Sequence, residues 1–371
     1  MDFFSKFSKF GDDSPSALGI DIGSSAIKIV QIKKKNSQAV LETYGELALG
    51  PYAGLSVGQS VVLPPDKIAQ ALIDLMREKE VNITTKKCGL SIPFSSSLMA
   101  VIEMPEVSDK QLSVMVPLEA RKYIPVPVSE VMLDWSVIPK SETRPEDENE
   151  ETKPPVGPAR TDVLIVAIHN ETIARYQEIV AKAGLDAGFF EIEIISTMRA
   201  VLDDTLRPVM LMDIGSSTTK LYVVERGIVR ASHTINRGSQ DITTAISKSL
   251  GIPPEKAEIL KRQLGMSGEN KSATEIITLT LDYIFSEANT VLLTFDKKYN
   301  KTISKIVMVG GGSALKGLTE AAKSNFKTEI VSANPFSKVA TPAFLEGVLK
   351  ETGPEFAVAI GLALRRLAEE K

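Results

Sequence analysis

The chain has 371 residues, 43% of them hydrophobic and 24% charged, with a formal net charge of −4. That is material for two or three cored domains, and the acidic balance excludes a broad basic field for nucleic acid. A single cysteine, Cys88, and two histidines, His169 and His233, exclude an intrachain disulfide and a Cys/His zinc site.

The counts still allow a papain-like Cys-His pair, but no local signature supports one, so carboxylates, hydroxyls, backbone amides and a hard metal are the expected carriers of any chemistry. No apolar run approaches the ~20 residues that span a bilayer, and no signal peptide is read. In the opening MDFFSKFSKF, Phe3, Phe7 and Phe10 fall at helical spacing with Lys6 and Lys9 between them, a pattern for a docked tail or a weak membrane-surface contact.

Residues 18–30, LGIDIGSSAIKIV, read as strand, tight Gly-Ser turn and strand. A strand near 39–49, a Gly/Pro loop over 50–65 and a helix opening at Asp66, with Ile68, Leu72 and Leu75 on one face, follow. After a strand at 88–92 the pattern becomes a compact β-α-β-β-α unit over about 97–188. It comprises a strand at 97–103, a helix from Ser108 with Gln111 completing a capping box, strands near 130–138 and 162–169, and a helix from Asn170 to the stop at Gly184. Pro117 is expected to kink or divide its helix. Within this unit, 140–160 holds six acidic residues and four prolines and reads as a disordered loop.

The second half opens with strands at 208–213, 218–225 and 228–235. Helices are expected at 239–250, 254–264 and 272–299, the last with Ser272 and Glu275 as a capping box. The strand KIVMVGGG at 305–312 leads to a helix opening near Ser313. A final helix over 354–369 carries Phe356, Ile360, Ala363 and Leu367 on one side.

The dominant signal is an internal repeat. Asp21, Ile22, Gly23, Ser24, Ser25 and Lys28 recur 192 residues later as Asp213, Ile214, Gly215, Ser216, Ser217 and Lys220. Glycine lets the backbone approach a ligand, successive amides form a nest for phosphate oxygens, serine hydroxyls add donors, and an Asp at each strand end suits a hydrated magnesium. One such turn is ordinary turn chemistry; two heading two half-chains point to a duplicated α/β architecture. Two further elements follow in order. Glu258 and Lys261 share a helix face, as a solvent ion pair also would. The run Gly310, Gly311, Gly312 and Ser313 joins an apolar strand to a helix start, where anions are favoured.

This order of motifs resembles the actin and heat-shock chaperone ATPase superfamily. Over about 18–370 it resembles most the PilM family of type IV pilus assembly proteins, FtsA-related. The likeness rests on LGIDIGSSAIKIVQI, LEARKYIPVPVSEVMLDWSVI at 118–138, MDIGSSTTKLYVVERG, INRGSQDIT at 235–243 and KIVMVGGGSALKGL. It implies an α/β fold of duplicated actin-like, ribonuclease H-like ATPase domains with an α+β subdomain inserted in the first half. The first domain would span 17–207, with the insertion over 97–188, and be closed by the C-terminal helix 354–369. The second would span 208–352, with a helical subdomain over 248–300. The chain ends LALRRLAEEK, read as that closing helix and not as the amphipathic membrane helix of FtsA.

The resemblance implies ATP and Mg2+ as cofactors. Gly23, Ser24, Ser25 and Lys28 would face the phosphates from one side and Gly215, Ser216, Ser217, Thr218 and Lys220 from the other. Asp21 and Asp213 would hold magnesium through water. Glu258, Lys261 and the 310–313 turn would meet adenosine. Hydrolysis is left open; Glu191 and Glu193 are the nearest candidates to orient water, and either also suits an ion pair. The implied role is a cytoplasmic adaptor, peripheral at the inner membrane. It would bind the short N-terminal tail of a bitopic pilus protein of the PilN type, between the first subdomain and the insertion, and engage the pilus assembly ATPase machinery. Leu118, Ala120, Tyr123, Leu133 and Trp135 are candidate groove walls, each also suited to ordinary core. A self-assembling FtsA-like filament protein and a small-molecule kinase of the same fold are the competing expectations.

Overall fold

A computed structural model describes residues 15–138, 159–203 and 206–369. The Phe/Lys N-terminus and residues 140–158 of the acidic segment lie outside the described residues. Contacts divide the chain into a larger unit, up to Ser91 and from Ile179 onward, and a smaller one, Ile92–Glu178.

The larger unit holds two five-stranded sheets of one plan. In the first the order is β3 (Gln38–Ala48), β2 (Ala26–Lys35), β1 (Ser16–Ile22), β4 (Lys87–Ile92) and β8 (Asp186–Ile192). In the second it is β11 (Ile228–Ile235), β10 (Thr219–Glu225), β9 (Val209–Ile214), β12 (Lys305–Val309) and β13 (Glu329–Ser332). Each begins as an antiparallel three-strand meander whose first strand then pairs in parallel with a later one, β4 or β12. The repeat in sequence is therefore a repeat in topology. Leu18 and Ile20 of β1, and Met210, Leu211 and Met212 of β9, are fully buried. Continuous apolar runs of this kind are what strands covered on both faces require.

The first sheet is covered by α1 (Pro65–Arg77), through Ile68, Leu72 and Leu75, and by α10 (Ala357–Glu369). A Cβ on Gly19 would fall 1.9 Å from the Ala359 carbonyl oxygen, so its absence lets α10 lie directly on β1. Gly361 does the same for α4 (Glu193–Val201), at 1.9 Å from the Ser196 carbonyl oxygen. Phe356, Ile360, Ala363 and Leu367 all enter this core, so the C-terminal helix closes the first sheet.

The second sheet is covered by α5 (Ser239–Leu250), α6 (Pro254–Leu264) and α7 (Lys271–Tyr299). The side chain of Asn270 caps α7 by accepting the Ala273 N–H at 3.0 Å, in place of the expected Ser272/Glu275 box. Among the described residues α7 is the one helix long and apolar enough to cross a membrane. Its Ile277, Leu281, Ile284, Phe285 and Ala288 nonetheless lie in the core of the second sheet. After β12 the chain makes a 3-10 turn over Gly311–Ala314, and α8 (Leu318–Asn325) starts later than expected. Gly310 (φ +83°) and Gly317 (φ +78°) are left-handed, which keeps the intervening residues out of one α-helix.

The smaller unit is a three-stranded antiparallel sheet in the order β5 (Ser97–Pro105), β7 (Arg160–His169), β6 (Val131–Val137). It packs with α2 (Asp109–Ala120) around Ile102, Leu112, Val116, Val163 and Ile165. Next in the chain is α3 (Asn170–Ala183), whose first residues belong to this unit. The Gln111 side chain accepts the Ser108 N–H at 3.1 Å, as the capping box predicts. Pro117 does not divide α2. It stands in the last turn, where one missing N–H costs a single helical bond with little helix left to disrupt.

Candidate functional site

The two Gly-Ser turns are built alike. Gly23 N–H donates to the Ala26 carbonyl at 3.0 Å, and Gly215 N–H to the Thr218 carbonyl at 2.9 Å. Antiparallel register sets Asp21 opposite Lys28 and Asp213 opposite Lys220. The D-x-x-x-x-x-x-K spacing thus makes each carboxylate and ammonium cross-strand neighbours on one face. Both Asp residues stand near the carboxyl ends of their strands, where α/β sheets leave a crevice.

Burial pushes the Asp21 carboxyl up, against Lys28 and the Ser91 hydroxyl, which donates to it at 2.7 Å. Burial likewise pushes Asp213 up to about 6. The Lys220 ammonium counters this only in part, because it lies 2.6 Å from Glu193 and 4.0 Å from Asp213. For Lys28, burial alone would lower the ammonium, but Glu46, Glu355 and Asp21 lift it.

The turns meet. The Ser217 hydroxyl donates to Ser24 at 3.3 Å, and Ser60 joins both halves, 3.2 Å from the Ser24 hydroxyl and 3.0 Å from that of Ser216. The Ser25 carbonyl accepts the Leu49 N–H at 2.8 Å.

Glu258 and Lys261 are buried, not a solvent pair. The Lys261 ammonium is 2.7 Å from Glu258 and donates to the Thr243 hydroxyl at 2.9 Å; that hydroxyl donates to Glu258 at 2.6 Å, and Arg262 reaches the other carboxylate oxygen at 2.7 Å. Burial would raise Glu258, but Lys261, Thr243 and Arg262 together hold it below the usual carboxylate range. Burial lowers Lys261.

The 310–313 turn abuts the second Asp. A Cβ on Gly310 would fall 2.3 Å from the Asp213 Oδ1 and one on Gly312 2.4 Å from the Ile214 Cγ2. Gly310 N–H donates to the Pro354 carbonyl at 3.0 Å, and the Ser313 hydroxyl to the Gly310 carbonyl at 2.7 Å. Beside Gly311 stands Glu355, pushed up to about 7 by burial and by Glu46, against Lys28 and Arg262.

The two candidate acids separate sharply. Glu193 opens α4 and faces Lys220 of the second turn. Glu191 is buried among Arg199, Arg365 and Ser196, with both oxygens bonded at 2.5–2.8 Å. Burial would raise Glu191, but these donors hold it low.

In the smaller unit, Leu118 and Tyr123 are exposed while Leu133 and Trp135 pack partly into the core. Ala120 is fully buried and presents no wall; it continues the Leu112–Val116 stripe at every fourth residue.

Ser60, Ser91, Gln240 and Glu355 were not singled out from sequence. Only Ser91 had a signal, at the carboxyl end of a strand, since β4 lies beside β1.

The chain is similar to the solved PilM-PilN type IV pilus biogenesis complex, at 25% identity and a TM-score of 0.78, covering 95% of this chain and 98% of that one. It shares the fold of ethanolamine utilization protein EutJ from Carboxydothermus hydrogenoformans, at 16% identity and a TM-score of 0.55, over 94% and 89% of the two chains. Cell division protein FtsA of Neisseria meningitidis serogroup B is 24% identical over 92% of this chain and 88% of its own length. With FtsA of Escherichia coli K12 the match is 22%, and the chain spans 58% of that relative. The model of the type IV pilus assembly protein PilM matches residues 19–367, and the chain belongs to that family, with an actin-like ATPase fold.

Proposed function

We propose that this chain is a cytoplasmic, membrane-peripheral adaptor of type IV pilus assembly. In this reading it binds magnesium ATP between its two Gly-Ser turns and holds the N-terminal tail of a PilN-like membrane protein. The observation that carries it is the meeting of the turns, each with its own Asp, Lys and serine hydroxyls.

The donor set fits a magnesium polyphosphate. Lys28 and Lys220 supply positive charge from opposite halves, and Ser24, Ser25, Ser216, Ser217 and Thr218 supply hydroxyls around Gly23 and Gly215. Asp21 and Asp213 suit an ion that keeps most of its waters; among the described residues no three acidic, His or Cys side chains gather as a direct metal cage. Glu258, Lys261 and the Gly310–Ser313 turn offer the nucleoside a fixed ion pair and bare backbone. Glu193, at the edge of the second turn, would orient a water in any hydrolysis.

Because both halves grip one ligand, nucleotide shifts the equilibrium between their arrangements by its differential affinity for each. A PilN-like partner is supported by the family and by the solved PilM-PilN complex to which the chain is similar; the N-terminal tail as the bound segment is part of the proposal. The test is a pull-down with N-terminal peptides of membrane pilus proteins, with and without ATP. Retention of a short apolar tail supports the adaptor. ATP-dependent sedimentation into polymers, or phosphorylation of a small molecule at an enzyme-like rate, would replace it with the filament or kinase alternative.

A further inference from the structure

Residues 49–63 join β3 to α1 and cross from the first turn to the second half. Two backbone bonds tie the segment's ends to the first turn, from Leu49 N–H to the Ser25 carbonyl at 2.8 Å and from Val61 N–H to the Ser24 carbonyl at 2.8 Å. Its middle is held by the other half. Ser60 N–H donates to the Gln240 side chain at 2.8 Å, the Ser60 hydroxyl to Ser216 at 3.0 Å, and the Ser216 hydroxyl to the Gly58 carbonyl at 3.2 Å. The Ser56 hydroxyl bonds Glu255. Gly58, left-handed at φ +88°, brings the strap against Glu258, where a Cβ would lie 3.0 Å from the carboxyl carbon.

A phosphoryl oxygen takes hydrogen bonds at roughly 2.7–2.9 Å, so donors on opposite sides of one stand roughly 4.5–5.5 Å apart. Ser24 and Ser217 are 3.3 Å apart. A phosphoryl group between the turns has to part them. Ser60 is the hydroxyl that already stands between a serine of each turn.

We propose that Ser60 is a phosphate-binding residue that distinguishes a nucleoside triphosphate from a diphosphate. Its hydroxyl exchanges Ser216 for the terminal phosphoryl group, and that exchange frees the strap from Gln240. No covalent bond changes; a hydrogen bond within the protein is traded for one to the ligand. The proposal rests on the nucleotide reading of the site, so the test separates the two.

The full chain is titrated calorimetrically with magnesium AMPPNP and magnesium ADP, and hydrogen exchange is followed at the strap. Binding of neither nucleotide overturns the site reading and the proposal with it. Given binding, Ser60→Ala weakens AMPPNP roughly three- to tenfold, the worth of one hydrogen bond, and leaves ADP within about twofold by the same measure. Ser60→Thr, which keeps the hydroxyl, restores the difference. AMPPNP speeds exchange at the Ser60 amide and not at Val61, whose partner is in its own half. Gln240→Ala speeds exchange at Ser60 without nucleotide and raises the preference for AMPPNP over ADP, because the bond that AMPPNP breaks is already absent. Equal losses for both nucleotides in Ser60→Ala, or none, overturn the role of Ser60 while the nucleotide site stands.

Discussion

The hydroxyls of Ser24 and Ser217, 193 residues apart in the chain, meet at 3.3 Å. They occupy corresponding turns of one duplicated hairpin, so the two copies face each other directly. Neither copy alone surrounds a ligand, because each turn offers donors on one side only. A ligand bound there would be gripped by both halves, and its binding energy would be available for setting their separation.

The paired carboxylates give the first prediction. Burial disfavours the charge on both Asp21 and Asp213, so the ligand-free fold gains little from either charge. Asp21→Ala with Asp213→Ala should abolish magnesium ATP binding in calorimetry while leaving the ligand-free melting temperature within a few degrees. Unchanged ATP affinity would sink the assignment.

Glu355 sets a pH dependence. Its carboxyl is pushed from 4.5 up to about 7, by burial first and then by Glu46. A raised carboxylate pKa means the folded state holds the proton longer, so stability falls as pH rises from about 4.5 to about 7. The full loss is on the order of 1–3 kcal/mol. Glu355→Gln should remove that slope from urea-unfolding free energies measured across this range; an unaltered slope would assign it elsewhere.

Much of this was legible because it was local. A hairpin whose Asp, Gly-Ser turn and Lys fall within eight residues writes its cross-strand pairing into its spacing, and the second copy wrote it twice. The closing helix was legible from the stripe Phe356, Ile360, Ala363 and Leu367, which all reach one core. The strap was not. Residues 50–62 carry no periodicity, and Ser60 acquires meaning only from Ser216 and Gln240, at separations of 156 and 180 residues. Glu355 is obscure for the same reason, since Glu46, Lys28 and Arg262 come from three other elements. Of the two roles the sequence leaves open for Ala120, ordinary core is the one its phase with Leu112 and Val116 favours and its burial bears out.

The two acids after β8's aromatic pair should part in their mutants. Glu191 neutralises Arg199 and Arg365 from a buried position. Glu191→Gln strands two guanidinium groups, which are themselves about a third exposed, so the cost is below the 3–5 kcal/mol of a fully buried pair, about 2–3 kcal/mol. Its contribution is present above the ordinary carboxylate range and is lost as pH falls through the lowered pKa. Glu193→Gln leaves the largely buried Lys220 with Asp213 still 4.0 Å away, so it should cost about 2 kcal/mol, and it should abolish whatever ATP turnover the wild type has. A melt and a phosphate-release assay on both variants decide; if Glu191→Gln melts as wild type, the stabilising role of the Glu191–Arg199–Arg365 cluster is refuted.

Burial divides the candidate partner residues in the smaller unit. Leu118 is 56% and Tyr123 44% exposed, whereas Ala120 is 0%. An Asp at either exposed position meets water and leaves the fold intact, while an apolar tail resting there would face an unpaired charge. Leu118→Asp and Tyr123→Asp should therefore each weaken a PilN-like tail at least tenfold, about 1.4 kcal/mol, in fluorescence anisotropy with an unshifted melting temperature. Ala120→Asp instead buries a charge among Leu112, Val116 and Ile165 and should unfold the unit. If both exposed variants bind the tail as wild type does, the tail rests on another face, and these two side chains are ordinary exposed surface.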